Sequence, residues 1–76
     1  MKTEVTFYGS LTDVVGSKSV EVTAVRISDL LDQLYASYPE LRRRKFLTAI
    51  DTSIVGNEFM IPAGTSVSLM PPFAGG

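Results

Sequence analysis

The stretch Lys18-Ser19-Val20-Glu21-Val22-Thr23-Ala24-Val25-Arg26-Ile27-Ser28-Asp29-Leu30-Leu31-Asp32-Gln33-Leu34-Tyr35-Ala36-Ser37-Tyr38 changes its hydrophobic period midway. From Lys18 to Ala24 the residues alternate, Val20, Val22 and Ala24 against Ser19, Glu21 and Thr23, which is the pattern of a half-buried strand. From Ile27 onward the apolar positions are Ile27, Leu30, Leu31, Leu34, Tyr35 and Tyr38, one face of an amphipathic helix. Ser28 is the expected N-cap. Asp29 and Asp32 are placed for the first turn, where the positive end of the helix dipole favours carboxylates. Pro39 ends the helix near Tyr38, because proline disfavours helical backbone at the residue before it.

Upstream, Thr3 to Tyr8 alternates as well, Val5 and Phe7 on one face and Glu4, Thr6 and Tyr8 on the other. Gly9-Ser10 closes this strand. A loop with Leu11, Val14 and Val15 as core plugs and a Gly16-Ser17 turn leads to Lys18, so the first two strands read as an antiparallel hairpin. Downstream, Pro39 to Lys45 reads as a short turn or helical bend. Phe46 to Asp51 is a third strand, Thr52-Ser53 a turn, and Ile54-Val55 a short strand or bulge. Gly56 to Glu58 is a loop, Pro62 to Thr65 a turn, and Ser66 to Met70 the last strand, with Val67 and Leu69 on its inner face. One amphipathic helix is enough to cover one face of a four- or five-stranded mixed sheet. The expected class is therefore α+β, with a β-grasp roll as the economical arrangement. Whether the first and last strands pair in parallel at the centre does not follow from the pattern.

The 76 residues allow one domain, 45% apolar and 20% charged, with a net charge of -1. This charge gives no field that argues for nucleic acid or an anionic membrane, and no apolar run is long enough for a membrane span. The chain has no Cys, which excludes disulfides, thiolate catalysis and Cys-based metal sites, and no His, the usual neutral-pH base and commonest metal ligand. No metal-ligand spacing is present. A carrier, adaptor or subunit is expected rather than a complete active site, and a cytoplasmic location, since small secreted domains commonly need disulfide staples.

The run Pro71-Pro72-Phe73-Ala74-Gly75-Gly76 separates a body, residues 1–70, from a tail, residues 71–76. Two prolines stop the strand and stiffen its exit. A Gly-Gly end is slim and adopts backbone conformations closed to other residues, so it can thread a narrow channel and present its carboxylate to chemistry inside another protein. Tyr8 and Met70 point away from the expected core, Ile54 joins them, and Phe73 follows, which suggests an apolar partner-binding patch leading to the tail. Arg42-Arg43-Arg44-Lys45 reads as a solvated loop after the helix; no aromatic platform accompanies it to argue for RNA.

Ala49-Ile50-Asp51, Ile54-Val55, Gly64-Thr65-Ser66-Val67 and the ending Met70-Pro71-Pro72-Phe73-Ala74-Gly75-Gly76 resemble the MoaD family, the small subunit of molybdopterin synthase. Phe7-Tyr8, Leu11 and Val14-Val15-Gly16 resemble it too. The family often has Asn where Asp51 stands, and the stretch from Tyr38 to Lys45 is short and unusually basic beside it. The resemblance implies a ubiquitin-like β-grasp fold. It also implies that an E1-like (MoeB-like) enzyme, using ATP and Mg²⁺, adenylates the Gly76 carboxylate, and that a sulfur donor protein converts it to a thiocarboxylate. The tail would then insert into a MoaE-like large subunit and deliver sulfur to a pterin precursor in molybdenum cofactor biosynthesis. No cofactor is expected on the carrier itself. The same terminus would suit a carrier for a thiazole, a thiolated tRNA or cysteine, or a ubiquitin-like modifier joined to target lysines through Gly76. A plain interaction domain with an inert terminus is the remaining reading.

Overall fold

The computed structural model describes residues 2–72. The chain runs β1 (Lys2–Phe7), α1 (Leu11–Val15), β2 (Ser19–Thr23), α2 (Ile27–Ser37), a 3-10 turn (Pro39–Arg43), β3 (Leu47–Ile50), β4 (Ser53–Ile54) and β5 (Ser66–Met70). The strands form one mixed sheet in the order β2-β1-β5-β3-β4. β1 pairs antiparallel with β2 and parallel with β5, and β3 runs antiparallel to both β5 and β4. The parallel centre obliges the chain to cross over between β1 and β5, and α2 lies in that crossover, packed on one face of the sheet. This is the β-grasp, ubiquitin-like fold.

The core follows from the two periods. Val5 and Phe7 of β1, Val67 and Leu69 of β5 and Ile50 of β3 face Ile27, Leu30, Leu31 and Leu34 of α2. Leu11 and Leu41 close its ends, both essentially fully buried. Tyr35 and Tyr38 continue the helix stripe and pack against this cluster while partly exposed.

Three local details differ from the sequence expectation. The segment after Gly9 is a five-residue helix rather than a loop, too short for a helical period to show in the sequence. Leu11 is its buried residue, and Gly16 ends it with φ +81°, donating to the Thr12 carbonyl at 2.7 Å. Ser28 does not cap α2. The N-cap is Arg26, whose N–H donates to the Asp29 carboxylate at 3.2 Å, half of a capping box. The first helical N–H groups, of Ile27 and Ser28, donate instead to the carbonyls of Phe59 and Asn57, at 3.0 and 2.9 Å. A loop distant in sequence therefore satisfies the donors that open the helix. Asp51, finally, leaves the third strand and begins the two-residue β3–β4 connection with φ +57°.

That left-handed backbone is tolerated best by Gly, Asn and Asp among the residues. Asp51 meets that requirement, and Asn would meet it equally. Asp51→Asn is expected to leave the melting temperature within a degree or two, whereas Asp51→Val should cost about 1–2 kcal/mol through left-handed strain. Thermal denaturation of the two variants checks this.

Candidate functional site at the root of the tail

The parallel register fixes what surrounds the junction of Met70 with Pro71. Phe7 stands opposite Leu69, and the ladder continues one residue further, the Tyr8 N–H donating to the Leu69 carbonyl at 3.0 Å. Side chains alternate across a strand, so Tyr8 and Met70 lie side by side on the face away from α2. On the other flank of β5, Met70 is paired with Leu47. One row below, Ala49 pairs with both Ser68 and Ile54. The open face of the sheet therefore carries Tyr8, Met70 and Leu47 across three neighbouring strands, with Ile54 diagonally beyond. Tyr8 is 48% exposed and Ile54 65%, while Met70 and Leu47 are half-buried. Exposed apolar side chains grouped in this way mark a contact surface better than scattered ones do.

The structure brings Tyr8 and Met70 into one cluster and puts Ile54 on the same face. Leu47 was missed in the sequence. The alternation of Leu47 and Ala49 against Thr48 and Ile50 was legible, but only the pairing with Met70 shows that Leu47 belongs to this surface. Phe73, Ala74, Gly75 and Gly76 lie outside the described residues. Pro71 and Pro72, the first tail residues, are both partly buried.

Gly9 is the second residue the sequence did not single out for the site. Its φ is +59°, and a Cβ built there would come within 2.9 Å of Pro71 Cγ and 3.3 Å of Cδ. An approach as close as the first is essentially absent between real side chains. Gly9 thus serves two ends, a left-handed turn out of β1 and a seat for the proline that starts the tail.

The basic run lies on the same end of the molecule. β3 is antiparallel to β5 with Leu47 opposite Met70, which places Phe46 and Lys45 alongside the start of the tail. Within the run, the Arg42 guanidinium stacks over the Tyr35 ring at 4.5 Å from its centre. Arg44 donates to Glu40 at 2.8 Å, and this hydrogen bond, with the neighbouring guanidinium charge, holds the Glu40 carboxyl below its ordinary range. Among the described residues no group of acidic residues is placed to hold a metal ion, and no helix is long and apolar enough to cross a membrane. Asp51 and Glu58 are exposed, and Gly64, at φ +80°, is the third residue of a turn closed by the Thr65 N–H and hydroxyl on the Pro62 carbonyl.

A β-grasp body with an apolar patch at the Met70–Pro71 junction has the architecture of carriers and modifiers of the ubiquitin type. Comparison with known proteins narrows the class. A profile of the ThiS family matches residues 5–76, and the chain belongs to that family. It is a ThiS/MoaD-like sulfur carrier with a ubiquitin fold. Similar solved structures include small archaeal modifier protein 1 (SAMP1) from Haloferax volcanii, 24% identical over 100% of both chains with a TM-score of 0.83. A protein assigned as subunit 1 of molybdopterin converting factor in Pyrococcus furiosus is 15% identical over 96% of this chain and 99% of its own, with a TM-score of 0.88. The complex of subunits 1 and 2 of molybdopterin-converting factor from Helicobacter pylori contains a chain 22% identical over 100% of both, with a TM-score of 0.72.

Proposed function

We propose that the protein is the small subunit of a molybdopterin synthase and carries sulfur on the Gly76 carboxylate. The observation that carries this reading is the junction of Met70 with Pro71-Pro72. Beyond it lies the Phe-Ala-Gly-Gly sequence, and beside it the Tyr8–Met70–Leu47 patch. A carboxylate is a poor electrophile. In the proposed cycle its oxygen attacks the α-phosphorus of ATP on an E1-like enzyme, and the α–β phosphate bond breaks to release pyrophosphate. A persulfide sulfur from a donor protein then attacks the acyl carbon and AMP leaves. A thiol next cleaves the resulting S–S bond, leaving a thiocarboxylate on Gly76 and the donor as a disulfide. The thiocarboxylate sulfur attacks a carbon of the pterin precursor in the large subunit, an oxygen substituent leaves that carbon as the C–S bond forms, and water later cleaves the acyl–sulfur bond, returning the carboxylate. None of these steps asks the carrier for Cys or His. Mg²⁺, bases and charge stabilisation belong to the activating enzyme.

The patch would dock the large subunit, guiding the tail into it. Met70→Glu, which sets a carboxylate among Tyr8 and Leu47 on a face away from the core, should weaken that complex by about tenfold or more while the melting temperature stays near that of the parent. Titration calorimetry checks it, and unchanged affinity would remove Met70 from the interface. Conversion of pterin precursor by the protein, thiolated and mixed with a large subunit, tests the assignment itself. Failure of conversion despite a thiocarboxylate would leave the carrier class and move the acceptor elsewhere. Likeness to an archaeal modifier over the whole chain favours a second reading, conjugation of Gly76 to target lysines, which mass-spectrometric adducts would reveal.

A further inference from the structure

Charge in this molecule is segregated. Residues 39–45 hold four cations and one carboxylate, while the rest of the chain holds three cations and seven carboxylates. Arg44 and Lys45, at the end of the cationic segment, rim a shallow groove of about 360 Å³ between α2 and the β3–β4 hairpin. Tyr35, Phe46, Leu47 and Ile54 are among its apolar lining, Thr48 and Asn57 join Arg44 and Lys45 in its polar lining, and no carboxylate lines it. Leu47 and Ile54 also belong to the open face of the sheet, so the groove continues the apolar patch around the β3–β4 edge to the other side of the sheet.

Arg44 spends part of its hydrogen-bonding capacity on Glu40, and Arg42 is laid over Tyr35. Lys45 and Arg43 are exposed and form no ion pair among the described residues. Cations at the rim of a groove with both polar and apolar lining favour a segment that carries carboxylates and one large apolar side chain, and they disfavour a basic one.

We propose that this groove docks an acidic, apolar-anchored segment of a partner protein, the E1-like activating enzyme of the function proposed above. The identity of the partner rests on that reading; the chemistry of the groove does not. Because the groove adjoins the first tail residues, a segment seated there would hold the carrier while leaving the tail free to reach the adenylation site.

The test follows backbone amide shifts of the ¹⁵N-labelled full chain. The probes are the activating enzyme, an acidic peptide with a single central phenylalanine, the same peptide with lysines replacing its carboxylates, and a single-stranded oligouridylate. Enzyme and acidic peptide should shift the amides of Lys45, Phe46, Leu47, Ile54 and Val55, and the basic peptide should not. The Arg44→Glu/Lys45→Glu variant should bind both about tenfold or more weakly at low salt, with the difference shrinking as salt is raised. Lys45→Glu alone keeps the Arg44–Glu40 pair and should show part of the same loss, which protects the result against a folding defect in the double variant. The proposal fails if the acidic peptide leaves the groove unperturbed, if the charge variants bind like the parent, or if the oligouridylate binds there more tightly than the acidic peptide, and the activating enzyme is ruled out as the occupant if it alone leaves the groove unperturbed. Intact mass of the unvaried protein after thiolation reports on the carrier reading separately. A chain that is never thiolated but binds the acidic peptide through Arg44 and Lys45 would sink the carrier reading and keep the groove.

Discussion

Deleting Gly75 and Gly76 abolishes the mass gain that corresponds to one terminal oxygen replaced by sulfur, when the protein is incubated with ATP, Mg²⁺, the E1-like enzyme and a sulfur donor. The expected loss is complete, because the deletion removes the carboxylate in its unhindered setting and leaves Ala74 as the terminus. A channel shaped for two residues without side chains excludes a Cβ, and a shortened tail withdraws the reacting carbon by up to about 7 Å, the reach of two extended residues. Since reacting atoms must approach to about 3–3.5 Å, a displacement of that size stops the chemistry rather than slowing it. The melting temperature should not move, as the hydrophobic core and the five-stranded sheet lie within residues 2–72. Intact-mass spectrometry with thermal denaturation reads both quantities. A truncated chain that still gains sulfur would place the reactive group elsewhere, and an intact chain that never gains it would favour conjugation or simple binding.

Gly9→Val should slow thiolation and also destabilise the fold. The φ of +59° costs a β-branched residue about 1–2 kcal/mol. The Cβ would in addition press on the Pro71 ring at 2.9 Å. Pro71 has little room to yield, because Met70 before it is held in the ladder with Leu47 and its own φ is fixed by the ring. The first tail residues must therefore turn away from β1. For a domain of this size the strain alone lowers the melting temperature by roughly 4–8 °C per kcal/mol. Gly64→Val separates the two effects. Gly64 has φ +80°, a Cβ placed there would meet nothing within 4 Å, and the residue precedes β5 whereas the tail follows it. Both variants should lose stability, but only Gly9→Val should lower the rate of thiolation at limiting activating enzyme. Equal rates in the two would show that the Gly9–Pro71 contact does not aim the tail.

Much of this fold was readable in one dimension, because its signals are local. Alternation in Thr3–Tyr8, Lys18–Ala24 and Ser66–Met70 marked three strands to within a residue or two, and the 3.6 period from Ile27 to Tyr38 marked α2. Pro39 and Gly64 announced their breaks through backbone chemistry that needs no neighbours. α1 was not legible, since five residues cannot display a period. The Arg26 cap was hidden because the N–H groups of Ile27 and Ser28 that open the helix are answered by Phe59 and Asn57, far along the chain.

For the candidate site, the sequence by itself determined the chemical ingredients: a chain without Cys or His, a Pro-Pro exit and a Gly-Gly run, with Tyr8, Ile54 and Met70 on faces turned away from the core. Only the tertiary structure decided which of these stand together. The parallel pairing of β1 with β5 joins the two ends of the chain, setting Tyr8 beside Met70, while the β3 register adds Leu47 and brings Lys45 to the root of the tail. Gly9 acquires its role by the same route, as the residue that leaves space for Pro71. Strand order and register come from burying both strands' inner faces under α2 at once, a condition on the whole chain that no local window of sequence contains.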